Sequence, residues 1–332
     1  MQRKFKAVFL AAALGGISAH AGLAQTLSWD LANEYGQSSI MGVGNETFIR
    51  EVASASDGTI RITAHYDGSI GFKSVDHFDA VGNGSIELAD TVVGAVAGIE
   101  PLFLLSSLPF IAGSDEEARL LWEVARPHYE AIFERNNQVL LWATPWPPSG
   151  IWANMPVTSV DELAGLRIRA WDASGVRTMS NAGATAIQVS WADTVPQLAS
   201  GAINAVLTSA DGGVSVKFWE FLNNFTAVNY SMALNMTHIN MDVFNSLTDE
   251  QRKIVLDAAR AAEEASWAEL SHRVAANFEA MRANGVTITE EVPEEFRQAL
   301  IEAGRQVYDD WLARTGEQGQ DILDTYFATL GN

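Results

Sequence analysis

Arg169 is the side chain in this sequence best suited to bind an anion. It sits in the apolar run Leu166-Arg167-Ile168-Arg169-Ala170, where strand alternation sets Leu166 and Ile168 on one face and Arg167 and Arg169 on the other. An arginine at the carboxyl end of a strand offers a planar fork that pairs with a carboxylate through two parallel charge-assisted hydrogen bonds. A surface arginine or a structural ion pair would show the same pattern, and the residues alone leave that open. Trp191 follows a predicted strand end at Val189-Ser190, so it either faces the same region or caps the core beneath it. Trp146, Trp152 and Trp171 lie in or near loops around the same strands, and one or two of these are expected to line a cleft. Earlier in the chain, Asn33, Glu34 and Tyr35 follow the first predicted strand, and Asp90 and Thr91 lie near the end of the third. Glu34 or Asp90 would accept from a ligand hydroxyl or ammonium group, or else cap a neighbouring helix.

Other chemistries find no support. The six histidines (His20, His65, His77, His128, His238, His272) show no metal-ligand spacing, and no metal or cofactor is expected. There is no Gly-x-Ser-x-Gly elbow and no phosphate-binding Walker loop. Gly42-Val43-Gly44 lies within a helical pattern and lacks the third glycine of a dinucleotide fingerprint. With no cysteine among 332 residues, thiol nucleophiles, disulfides and thiolate metal sites are excluded.

The elements that would position these residues alternate along the chain. Leu27 to Ala32 reads as a strand, and Ser38 and Ser39 can cap a helix carrying Met41, Phe48, Ile49 and Val52. Thr59 to His65 alternates as a strand, Ser74 to Val81 reads as a helix, and Ile86 to Val93 as the next strand. This β-α-β-α-β order builds a parallel sheet covered by helices. The order returns from Val139 to Thr144 onward. Ser159-Val160-Asp161-Glu162 forms a capping box, and strands follow at Leu166 to Ala170, Ala186 to Val189 and Ala202 to Thr208. Two such units predict two lobes, with a ligand cleft between them at the carboxyl ends of the strands. Thr248-Asp249-Glu250-Gln251 opens a long amphipathic pattern that runs to Asn284-Gly285. At 1.5 Å per residue its roughly 36 residues span about 54 Å, enough to bridge both lobes. A coiled-coil segment would show the same periodicity; a monomer is expected.

Arg3, Lys4 and Lys6 precede an apolar run from Ala7 to Ala19 and then small residues, which is the pattern of a secretory signal peptide cleaved after Ala24. Removing three of 21 basic residues leaves 18 against 41 acidic ones, a net charge of −23. Such a field repels phosphate backbones and anionic lipid, which excludes nucleic-acid binding; no later stretch is apolar and long enough to span a bilayer, so no stable membrane insertion of the mature chain is expected. The field also repels an anionic ligand at long range, which makes a local, preorganised arginine necessary.

Three segments resemble the solute-binding subunits (DctP family) of tripartite ATP-independent periplasmic (TRAP) transporters. They are Ile99-Glu100-Pro101-Leu102-Phe103 through Leu108-Pro109-Phe110, the run SVDELAGLRIRA from Ser159 to Ala170, and Phe244-Asn245-Ser246-Leu247-Thr248 before the long helix. The resemblance implies an α/β, two-lobed periplasmic binding protein fold with a long C-terminal bridging helix. It divides the chain into residues 25–148 plus about 235–275 for one lobe and 149–234 plus about 276–332 for the other. It implies a periplasmic receptor, not an enzyme, that captures a small organic acid and delivers it to membrane permease subunits. On this resemblance Arg169 is the carboxylate anchor and Trp191 the aromatic wall. The family's acidic-and-asparagine motif is replaced here by Thr208 and Ser209, and Lys73 stands where sialic-acid-type members carry an acid. These departures favour an aromatic or hydrophobic monocarboxylate. The alternatives are a zwitterionic osmolyte such as ectoine, enclosed by tryptophans and paired with Glu34, or a sensory receptor of the same fold.

Overall fold

The computed structural model describes residues 26–331; the expected leader, residues 1–24, lies outside them. β1 (Leu27–Asn33) starts partly exposed and ends wholly buried. α1 (Ile40–Ala55) turns Phe48 and Val52 inward, and β2 (Ile60–His65) alternates with Ile60 and Ile62 buried. α2 (Ser74–Gly82) and β3 (Leu88–Val92) follow, and two 3-10 turns lead to α3 (Asp115–Arg135) and β4 (Gln138–Pro145). Next come β5 (Ser149–Ala153), α4 (Val160–Leu163), β6 (Arg167–Ala170), α5 (Ala173–Asn181) and β7 (Thr185–Gln188). They are followed by α6 (Trp191–Ala199), β8 (Ala205–Ser209), α7 (Ala210–Ser215) and β9 (Asn224–Thr226). β10 (Leu234–Asn240), α8 (Met241–Asn245), α9 (Asp249–Ala283), β11 (Thr287–Thr289) and α10 (Glu294–Leu330) complete the described chain.

The strands form two sheets, ordered β2-β1-β3-β10-β4 and β11-β9-β5-β8-β6-β7. Neither is all-parallel, which corrects the sequence-based expectation. β10 runs antiparallel to β3 and β4, and β5 runs antiparallel to β8 and β9. The cause is connectivity. The chain passes from β4 to β5 through residues 146–148 and back from β9 to β10 through residues 227–233, with no helical crossover in either passage. β5 and β10 are thus the strands by which the chain enters one sheet directly from the other, and they are the strands that run against their neighbours.

α9 is the long helix anticipated from Thr248, with both halves of its capping box formed: Gln251 N–H donates to Thr248 Oγ1 and Thr248 N–H to Gln251 Oε1. Its first half packs Ala258, Ala259 and Ala262 into the first lobe's core with Trp29, Phe48 and Trp142. Farther on, Asn277 bonds Asp211 and Phe278 packs against Phe225 of β9, so the helix reaches the second lobe. α3 and α10 are not among the expected elements. Pro127 inside α3 reads as a break, and Gly316 (φ 61) puts a kink inside α10. α10 meets the first lobe before the kink, where Trp311 Nε1 donates to Pro101 O, and stays on it beyond, where the Tyr326 hydroxyl donates to Ile111 O.

Candidate functional site

β6 delivers its two arginines to different environments. Arg167, at the exposed start, donates to the carbonyls of Gly201 and Ala202. Arg169, at the buried end, is 2% exposed. Its Nε donates to Val189 O at 2.9 Å, which fixes the guanidinium 5.4 Å from the Trp191 ring centroid. Among the described residues no carboxylate lies within ion-pair distance of it. Burial lowers its pKa, and the fields of Glu34 and Asp172 act against that fall. An unpaired buried guanidinium is costly, and a ligand carboxylate relieves the cost.

Arg169 lines a small cavity of about 20 Å³. Tyr35, Trp146, Trp171 and Trp191 form its walls, with Val92 and Ala233 between them. Tyr35 stands at the centre, its ring centroid 4.8 Å from Trp146 and 5.5 Å from Trp191. Indole N–H groups point away from the space: Trp146 donates to Asn235 Oδ1 (2.8 Å) and Trp171 to Ser107 Oγ (3.2 Å). The polar lining consists of Arg169, Ser149, Thr208 and Ser209. Ser209 Oγ is committed to capping α7, where it accepts from Gly212 N–H.

Tyr35, Trp171 and Trp191 also line an outer vestibule of about 370 Å³, which adds Glu34, Lys73, Ser190 and Asp193. Here the lobes touch. Glu34, 2% exposed, accepts Ser74 N–H at the start of α2 and Ala192 N–H at the start of α6, each at 2.9 Å. A carboxylate of the first lobe thus caps a helix of the second. Asp211 of α7 reciprocates: its Oδ2 accepts Ile40 N–H, the first amide of α1, at 2.9 Å. The expected Ser38–Ser39 cap of α1 is therefore corrected, since the Ser39 side chain makes no capping bond and a residue 171 positions away does. Lys73 Nζ pairs with Asp193 Oδ2 at 2.7 Å across the mouth.

Several sequence candidates lie elsewhere. Asn33, Asp90 and Thr91 are fully buried behind the cavity. Asn33 and Asn235 donate to the Asp90 carboxylate, and the Thr91 hydroxyl sits between His77 and His238. Burial pushes the Asp90 carboxyl up to about 7 and His77 down to about 4. Trp152 lines neither cavity; it is 0% exposed, packs on Phe218 and Phe225 and donates to Ser209 O. Its strand, β5, lies inside the sheet rather than in a loop. Ser149, which does line the cavity, was missed for that same reason, although Pro147-Pro148 forbids a helix and signals an extended start. Asp172 was also missed. It caps α5 through Gly175 N–H, and burial raises its pKa to about 6. Among the described residues no group of histidine and acidic side chains converges on a metal position.

The profile of the DctP family, "bacterial extracellular solute-binding protein, family 7", matches residues 31–315. The ectoine-binding periplasmic protein TeaA of Halomonas elongata is 24% identical over 322 residues, covering 91% of this chain and 90% of its own length. The ectoine/5-hydroxyectoine-binding periplasmic protein UehA of Ruegeria pomeroyi is 23% identical, covering 99% and 98%. Among solved structures, DctP7, an extracytoplasmic solute receptor of Bordetella pertussis binding pyroglutamic acid, is similar with a TM-score of 0.87 at 27% identity, over 91% of this chain and 99% of that one. A marine-metagenome TRAP solute-binding protein specific for pyroglutamate, in complex with co-purified pyroglutamate, has a TM-score of 0.87 at 29% identity, over 92% and 99%. With the two-lobed architecture, the buried cleft arginine and a profile match over most of its length, the chain belongs to the DctP family of TRAP-type solute-binding proteins.

Proposed function

We propose that this chain is the periplasmic receptor of a TRAP transporter for a compact cyclic monocarboxylate whose remaining polar group is uncharged, of which pyroglutamate is the model. The observation that carries this reading is Arg169, buried without an ion pair in a small aromatic cavity whose other polar lining is neutral hydroxyl. Arg169 takes the carboxylate, the aromatic walls exclude water from the pair, and Ser149 and Thr208 serve a lactam or similar group. The cavity is small and closely walled by Tyr35, Trp146, Trp171 and Trp191, which favours one small ring over an extended aromatic acid. The lobes, 25–148 plus about 235–275 and 149–234 plus about 276–332, close on the ligand, and the permease receives it unchanged. The leader in residues 1–24 directs export.

Ectoine is the second reading, favoured by the relatives TeaA and UehA and by the π surfaces around Tyr35. Against it, Glu34 lines only the outer vestibule, and no acidic side chain lines the inner cavity to pair with a cationic ring. Calorimetric titration of the mature chain with pyroglutamate, ectoine and phenylacetate separates the candidates. Pyroglutamate binding that is abolished in Arg169→Ala supports the proposal. Binding of ectoine alone, or pyroglutamate affinity unchanged in a folded Arg169→Ala variant, overturns it.

A further inference from the structure

Asp90 touches neither cavity, yet it organises the wall of the inner one. It lies on β3 paired with Asn33 of β1 and, on its other side, with Thr237 of β10, two residues along from Asn235. Asn235 Nδ2 donates to Asp90 Oδ1 at 2.8 Å, which leaves Asn235 Oδ1 to accept the Trp146 indole N–H at 2.8 Å. Asn33 Nδ2 donates to Asp90 Oδ2 at 3.3 Å, and Asn33 Oδ1 accepts the Tyr35 backbone N–H at 2.8 Å. Trp146 and Tyr35 then meet edge to face on the cavity. We propose that Asp90 is a positioning residue of the ligand site, whose negative charge holds Trp146 and Tyr35 in their binding orientation and whose protonation weakens binding as the pH falls.

An ionised carboxylate only accepts, so both amides must turn their NH2 groups toward it and their oxygens toward the wall. Protonation removes the charge that strengthens both bonds and, with the proton toward Asn33 or Asn235, sets a donor against a donor there. That amide must lose its bond or turn over, and turning withdraws the oxygen that holds Trp146 or Tyr35. Asn45 of α1 is the third amide beside the carboxylate. No competing charge holds Asp90 ionised. The titratable groups facing it are Tyr35 after β1, Tyr66 after β2, His77 of α2 and, through Thr91, His238 of β10. Burial keeps the two histidines neutral and the two phenols protonated. From α1, Glu46 is engaged by the Tyr66 hydroxyl. Burial also brings Asp90 to about 7, so the switch lies in an accessible range.

The inference rests on the reading that this cavity holds the ligand, and its test separates the two. All 10 tryptophans give indole N–H signals in a proton–nitrogen spectrum, and Trp146→Phe identifies one by its loss. In the ligand-free wild type that signal is expected to shift with a midpoint near pH 7, and to stand still in Asp90→Asn and in Asn235→Ser. Pyroglutamate affinity is expected to fall about fivefold from pH 8.5 to 5.5 in the wild type, the loss of one hydrogen bond. Asp90→Asn should be flat across that range, apart from any part due to Asp172. A Trp146 signal that ignores pH, or that titrates equally in Asp90→Asn, overturns the proposal. The wild-type titration stands even if a variant fails to fold. Absence of pyroglutamate binding at every pH sinks the ligand reading, while the indole titration still decides the role of Asp90.

Discussion

Asp211→Asn isolates lobe closure from ligand contact, because Asp211 lines neither cavity yet accepts the Ile40 N–H of the opposite lobe. The side chain is 2% exposed, so solvent screening does not discount the contact. Its other oxygen accepts from Asn277, with Arg273 Nε at 3.5 Å, and both partners lie on α9. In an open receptor the Ile40 amide and the Asp211 carboxylate each reach water, so the cross-lobe bond counts toward the closed form alone. A hydrogen bond to a charged acceptor contributes about 1.5–3 kcal/mol net and a neutral one about 0.5–1.5 kcal/mol. Asparagine keeps an acceptor and loses the charge, so closure should weaken by about 1.4 kcal/mol, which is tenfold. The expected result is a Kd about ten times higher, carried mainly by faster dissociation in stopped-flow tryptophan fluorescence. Small-angle scattering of the unsaturated variant should show a larger radius of gyration than wild type at the same ligand concentration. A Kd within twofold of wild type, with unchanged compaction, would refute the idea that this carboxylate latches the lobes.

Further expectations bear on the mouth, on pH and on the core. Glu34→Gln should weaken binding several-fold because it discharges a buried double cap, whereas Lys73→Met should change Kd by less than about fivefold, its pair with Asp193 being exposed; titration calorimetry of both ranks them. Asp90, raised to about 7, holds a proton in the folded chain that the unfolded chain has lost, so its contribution makes stability fall as pH rises from about 4 toward 7. His77, lowered to about 4, acts oppositely: the unfolded chain takes a proton below about 6.5 that the folded chain refuses. Asp90→Asn removes one of these opposed contributions, so its melting temperature should drop more steeply on acidification than that of wild type, and a parallel profile would contradict the assignment. Gly213→Ala would set a Cβ 2.2 Å from Trp152 Cζ2, inside a packed aromatic cluster, and should cost about 1–3 kcal/mol in a denaturant melt.

Much of the scaffold was legible because local patterning and tertiary role agree there. The Ile60/Ile62 alternation, the Thr248 box and the Asn284-Gly285 stop each encode an element in a few adjacent residues. The Ser159 box was half legible, since Ser159 accepts from Glu162 N–H while the Glu162 carboxylate turns to Thr158. What local patterning cannot carry is contact between distant residues. Nothing near Ile40 shows that Asp211 caps it, and nothing near Glu34 shows that it serves α6. Arg169 was readable from strand alternation, whereas Trp152 and Trp146 are alike in sequence and parted only by the sheet. The antiparallel sense of β5 and β10 depends on which sheet each strand joins, and the periodicity of a strand is the same in either direction.

The placement of β10 has a consequence for how the protein comes into being. β10 lies between β3 and β4, so the first sheet lacks an interior strand until residues 234–240 have been made. β3 and β4 have no hydrogen-bonded contact with each other before that, and β4 must wait while nearly ninety residues of the second lobe pass through the gap between β4 and β10. The second sheet is different: β5, β6, β7, β8 and β9 all lie within residues 149–226, and only the short edge strand β11 arrives later. Condensation of that lobe brings residues 145 and 234 to adjacent positions and removes most of the loop-closure entropy that β10 would otherwise face. Condensation of the strands at 149–226 therefore favours closure of the first sheet, with β10 delivered beside β4.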